Sequence, residues 1–192
     1  MNIDLGKLEI GVRTTIAQSA FVETEVLEFL SKDEQSSVRR SVASNLNATD
    51  TILDSLSKDE DAYVRASVAK NPTTSGEILD FLSRDEIDVV RFEVARNEST
   101  LSETLAHLSG DEHPVIRRSV AINKNTSPET LASLAILEYD FGVKYFVADN
   151  PNTPKEVRED LKKALPQNTW AQVPSIEMFR DCCDNLKHDD WY

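Results

Sequence analysis

The chain repeats itself. Val12-Arg13, Val38-Arg39, Val64-Arg65, Val90-Arg91 and Ile116-Arg117 recur every 26 residues, and Val143-Lys144 follows after 27. With the first residue of each pair as position 0, position +5 is Ala in all six copies: Ala17, Ala43, Ala69, Ala95, Ala121 and Ala148. Position +18 is Leu in all six: Leu30, Leu56, Leu82, Leu108, Leu134 and Leu161. Position +4 is always Ile or Val, and position +7 is Asn in five copies (Asn45, Asn71, Asn97, Asn123, Asn150) and Ser19 in the first. A unit this short cannot bury its own apolar residues, so the copies must stack on one another.

Each copy reads as two short helices. At about 100° per residue, positions 0, +1, +4 and +5 share one arc, whereas +2, +3 and +6 lie opposite and vary between copies. Asn at +7 suits a left-handed residue that ends the first helix, with Pro72 and Pro151 directly after it. Thr74/Glu77, Thr100/Glu103, Thr126/Glu129 and Thr153/Glu156 have the spacing of a capping box for the second helix, and Pro128 and Pro154 fall in its first turn. An acidic turn follows, in which Asp33, Asp59, Asp85 and Asp111 are placed to cap the next first helix. The expectation is an all-α solenoid of six two-helix repeats over residues 1–165, anchored at Val12, Val38, Val64, Val90, Ile116 and Val143. Residues 166–174 read as a linker. Ser175 to His188, with Ile176, Phe179, Cys182, Cys183 and Leu186 on one side, reads as an amphipathic helix capping the array or, with the ending DDWY, as a docking tag.

The pattern resembles the leucine-rich repeat variant family, whose units carry D-x-x-x-x-V-R-x-x-x-A-x-N followed by a Leu-containing segment. Here Asp59, Val64-Arg65, Ala69, Asn71, Leu79 and Leu82 match it, and the resemblance extends over residues 8–165. It implies a right-handed superhelix in which an α-helix alternates with a shorter, often 3₁₀, helix; more broadly the chain is similar to HEAT-like helical repeats. The 26-residue period is slightly long for the family, which favours a full α form for the second helix. The family's founding member carries an iron–sulphur cluster on a cysteine-rich N-terminal segment. This chain has no cysteine before Cys182, so no cofactor is expected.

The remaining composition narrows function by exclusion. With 21 basic and 34 acidic residues the net charge is −13, which argues against a nucleic-acid backbone as partner. The first ten residues lack a basic n-region and an apolar h-region, no run approaches a membrane span, and the adjacent Cys182 and Cys183 cannot close a useful loop. A reduced, cytoplasmic setting is the expectation. His107, His113 and His188 are far apart, and His107 takes a surface slot held by Phe29 and Phe81 in other copies. No metal-ligand spacing, phosphate loop or nucleophile–base set emerges, so catalytic, cofactor and metal residues are all expected to be none.

Two sets of residues stand out. Arg13, Arg39, Arg65, Arg91 and Arg117, continued by Lys144, form a column at +1. An anion-binding row is one reading. The structural one is favoured, because +1 lies inside the apolar arc and an acid stands five residues before the anchor in five copies. Arg39, Arg65, Arg91 and Arg117, with Asn45, Asn71, Asn97 and Asn123, are then an inter-repeat ladder. The second set is Phe92, Arg96, Arg118, Ile122, Tyr145 and Phe146 at the variable positions, an aromatic–Arg composition typical of interface hot spots. The alternative is that Phe141, Tyr145 and Phe146 pack beneath the C-terminal segment. The expected function is a non-enzymatic protein–protein interaction module whose partner is another protein with a basic patch. A stoichiometric inhibitor, immunity-type or acidic nucleic-acid-mimic protein is the alternative, and a repeat-fold nucleic-acid enzyme the less favoured one.

Overall fold

In the computed structural model, the described residues are 5–164, and they form twelve α-helices and no strand. The chain divides into two compact units, Met1–Thr104 and Leu105–Tyr192. The first contains α1 (Ile10–Gln18), α2 (Thr24–Leu30), α3 (Ser36–Ala43), α4 (Asp50–Leu56), α5 (Ala62–Lys70), α6 (Gly76–Leu82) and α7 (Asp88–Arg96). Helix α8 (Ser102–Leu108) runs over the boundary, and the second unit continues with α9 (Pro114–Ile122), α10 (Pro128–Leu137), α11 (Phe141–Asp149) and α12 (Lys155–Ala164). Odd-numbered helices pack side by side, α1 on α3, α3 on α5, α5 on α7 and α9 on α11; α2, α4 and α6 lie against the odd helices that flank them, and α10 and α12 lie against α11. The molecule is an all-α repeat solenoid, and the second helix of each pair is α rather than 3₁₀. No described helix is long and apolar enough to cross a membrane.

The invariant positions form the core. Val38, Val64, Val90, Ile116 and Val143 at position 0, and Val42, Val68, Val94, Val120 and Val147 at +4, are fully buried. Ala at +5 is buried in every copy, where its small side chain lets adjacent first helices close up. Position +15 adds a second Leu column, Leu27, Leu53, Leu79, Leu105 and Leu131, each fully buried and worth about 1.5–3 kcal/mol of transfer energy. The anchor Val12 differs, at 44% exposed, since no described helix pair packs on its outer side.

Three local expectations are corrected. Asn at +7 is not left-handed: Asn71, Asn97, Asn123 and Asn150 are extended, with φ between −64° and −69°, and no non-glycine residue described has positive φ. The side chain, not the backbone conformation, is what the position requires. The Thr of the expected capping box is not the N-cap either. That position falls one residue later, at Ser75 and Ser127. The buried hydroxyls of Thr74, Thr100 and Thr126 instead donate to the carbonyls of Val68, Val94 and Val120 at 2.6, 2.6 and 2.5 Å, and Thr153 donates to Val147 in the same way. Each thus satisfies a carbonyl in the last turn of the preceding helix. Finally, the turn aspartates do not cap helices. Asp33, Asp59, Asp85 and Asp111 accept from the N–H two residues on, in Asx-turns that aim the chain into the next first helix. The expected C-terminal capping helix, Ser175 to His188, lies outside the described residues.

Candidate partner-binding surface

The columns at +1 and +7 each tie one copy to the next. Arg39 donates to both carboxylate oxygens of Asp59 in the following turn, at 2.6 and 2.8 Å, and through Nη1 to the carbonyl of Asp33 in its own turn. Arg65 repeats this with Asp85 and the Asp59 carbonyl. Arg13 reaches Asp33, and Arg91 donates to the Asp85 carbonyl. In the second unit Arg117 pairs with Glu138 and the Asp111 carbonyl. The hydrogen bonds to these acids raise the pKa of Arg39, Arg65 and Arg117 above an already high ordinary value. Burial pushes Glu138 up, but its bonds from Arg117 and from the N–H groups of Asp140 and Tyr139 outweigh that, so it titrates below the usual carboxylate range.

The Asn column is a second stitch. Asn71 donates to the carbonyls of Ala43 and Asn45 in the preceding copy, at 2.8 and 3.0 Å, while its own oxygen accepts from the Thr73 N–H. Asn45 and Asn97 do the same one copy before and after, and Asn150 does so on Ala121 and Asn123. Asn123 accepts from the Asn125 N–H through its side-chain oxygen. Only a primary amide offers two donors and an acceptor in this plane.

The aromatic–Arg cluster is not an open surface. Phe92 is 1% exposed and Phe146 2%, so neither presents itself to a partner. The reason is geometric. A helix in a stack is covered on its flanks as well as behind, so a position opposite the apolar arc is not open by default: Arg40 at +2 is exposed, whereas Phe92 at +2 is buried. Ala66, Ser41 and Ser119, at these same positions, are buried too. Arg96 lies over the Phe92 ring at 5.2 Å, and Tyr145 meets Phe146 edge-on at 5.3 Å. Arg118 is bound to both oxygens of Asp140 and passes within van der Waals reach of Gly142, whose missing Cβ leaves room for the guanidinium. Ile122 is half-buried. Arg96 therefore shields Phe92 within the first unit, while Arg118 is committed to an ion pair in the second.

Two exposed aromatic residues share one repeat position on the second helices. Phe29 and Phe81, both at +17, are 51% and 54% exposed. Phe29 sits in a cleft of about 500 Å³ with Glu25, Glu28 and Lys32, and Phe81 in one of about 360 Å³ with Glu77, Asp80 and Arg84. The acid–aromatic–cation set thus recurs in register, two copies apart. The structure of a protein described as "a leucine-rich repeat variant with a novel repetitive protein structural motif" superposes on this chain with a TM-score of 0.60 and 26% identity. This chain is similar to a leucine-rich repeat variant. The match covers 82% of this chain and 66% of that one, slightly less than two thirds of its length. No family model matches the sequence, and no curated protein matches it. The +17 aromatics lie apart from the buried columns that build the array. The repeat alignment contains their signal, since a column holding Phe29, Ser55, Phe81 and His107 has no structural requirement for an aromatic. Among the described residues, no group of three or more His, Cys, Asp or Glu side chains is arranged to hold a metal.

Proposed function

We propose that the chain is a non-enzymatic protein-binding module that uses the second-helix face of its first unit to hold a basic partner. The observation that carries this reading is the pair of exposed phenylalanines, Phe29 and Phe81, the first beside Glu25 and Glu28 and the second beside Glu77, with Asp80 held by Arg84. An aromatic face flanked by carboxylates suits the Lys and Arg side chains of a partner, through cation–π contact and charge together. The net charge of residues 1–104, 11 basic against 20 acidic or −9, adds long-range attraction of the same sign. The acidic-mimic inhibitor reading draws on that same charge. It is the weaker one, because Asp33, Asp59 and Asp85 are tied to arginines and face inward.

The test is capture of partners from native lysate, with identification of what is retained, by the unaltered chain and by a Phe29→Ala/Phe81→Ala variant. Loss of a salt-sensitive, basic protein on substitution supports the face. Equal retention by both chains rejects it, and affinity for duplex DNA at physiological salt rejects the protein-module reading altogether.

A further inference from the structure

Four large apolar side chains stand exposed within six residues at the α10–α11 corner: Ile136 (80%), Leu137 (73%), Tyr139 (94%) and Phe141 (60%). Nothing in the repeat explains them. The position of Ile136, +20, holds Lys32, Lys58 and Arg84 in the first three copies and Gly110 in the fourth, and position +16, four residues before, holds Glu28, Asp54, Asp80 and then Ala106. Lys58 and Arg84 are bound to Asp54 and Asp80 on the helix surface. In the fifth copy this ion pair becomes Ala132 and Ile136, and the residue inserted there is Leu137. A concentrated apolar patch of this kind marks a contact.

What covers it is indicated by where the described chain ends. Helices α10 and α12 are each ten residues long and lie against each other. Ala164, at the end of α12, holds the register of Leu137 at the end of α10, and packed helices lie about 8–10 Å apart. The chain therefore leaves the array beside the apolar corner. Residues 166–174 can bridge up to about 30 Å, and Ile176, Phe179, Cys182, Cys183 and Leu186 follow on one side of a helical pattern. Residues 166–192 carry 2 basic and 5 acidic residues, while the last turn of α12 offers Lys162 and Lys163.

The end of the array is not open to another helix pair. Arg158 occupies the +15 position that is a buried Leu in the five earlier copies, and its Nη2 donates to the carbonyl of Asn150 at 2.9 Å. That carbonyl is the one taken elsewhere by the Asn of the following copy, as Asn71 takes Asn45. Stacking as a seventh repeat would displace this bond and bury a guanidinium.

We propose that residues 175–188 fold back onto the Ile136–Phe141 corner, covering it with their apolar side, rather than continuing the stack. The chain contains its own probes, since its two cysteines, Cys182 and Cys183, fall in that segment. In the full chain, Leu137→Asp/Tyr139→Asp should speed maleimide labelling of these thiols by about tenfold or more, by favouring the undocked state, while circular dichroism stays unchanged. A Leu137→Cys chain treated with a short bis-maleimide should give, after digestion and mass spectrometry, a peptide pair joining the thiol introduced at position 137 to Cys182 or Cys183 within one chain. Cys182→Ser/Cys183→Ser should abolish it. Equal labelling rates with and without the aspartates overturn the proposal. So does cross-linking only between chains, which would make a second copy the occupant.

Discussion

The two units solve the same stacking problem with different spacing. In the first, Arg39 and Arg65 each reach an aspartate 20 residues ahead. In the second, Leu137 has been inserted, and Arg117 reaches a glutamate 21 residues ahead, at 2.5 Å. The extra methylene of Glu138 spans what the longer α10 adds. Glu138 also keeps the second task of the aspartates, accepting from the N–H two residues on, that of Asp140. The ladder therefore tolerates an insertion if the acid lengthens with it. What it does not preserve is the surface: residues 1–104 carry −9, whereas residues 105–164, with 8 basic and 9 acidic residues, carry −1 and expose the apolar corner.

The sharpest way to break the comparison is at the stitches both units share. Asn71→Asp keeps the shape of the side chain but turns an acceptor, and a charge, toward the Ala43 and Asn45 carbonyls; we expect a loss of about 3–5 kcal/mol in urea unfolding. Asn150→Asp should cost the same if the second unit is stitched equally firmly, and a much smaller cost there would show that its array is looser. Phe92→Ala, in the first unit, should lose about 3–5 kcal/mol as a core truncation. A loss under about 0.5 kcal/mol, the range of surface substitutions, would return Phe92 to the surface.

The next effect appears with pH. Glu138 and Asp140 both titrate below their ordinary values. Burial pushes each up, and hydrogen bonds from Arg117 and Arg118 respectively, with backbone N–H groups, outweigh it. A carboxyl with a depressed folded pKa contributes stability above its unfolded value, and that contribution is lost as pH falls through the folded one. Unfolding midpoints measured from pH 7 down to pH 3 should therefore drop most steeply below the ordinary carboxylate range. Glu138→Gln should flatten that slope and lower stability at pH 7. Glu138→Asp should also weaken the rung, because the shorter acid no longer matches the inserted residue.

Most of the fold was legible in the sequence because six in-phase copies act as an internal alignment. Valine, alanine and leucine columns recur only where packing demands them. The Arg and Asn columns were visible as columns, but the partner of each Asn was not: a carbonyl in the previous copy leaves no mark on sequence. The face was misplaced because a helical wheel has two sides, whereas a helix packed in an array can be covered on a flank as well, and Phe92 and Phe146 are buried. The +17 column was seen only through His107 as a surface slot. Its two phenylalanines mean something once the columns that pack are subtracted.

The smallest expected effect on stability is the one that bears most on function. Phe29→Ala and Phe81→Ala remove half-exposed rings and should each shift stability by no more than about 0.5 kcal/mol. If Phe29 and Phe81 are anchors, each should nonetheless cost a partner about 2 kcal/mol of binding, roughly thirtyfold in Kd. Ile136→Ser offers the matching control in the second unit: no loss of the basic partner. If Ile136→Ser weakens that partner as much as Phe81→Ala does, binding spans both units. The acidic, aromatic first unit would then not be the recognition surface by itself.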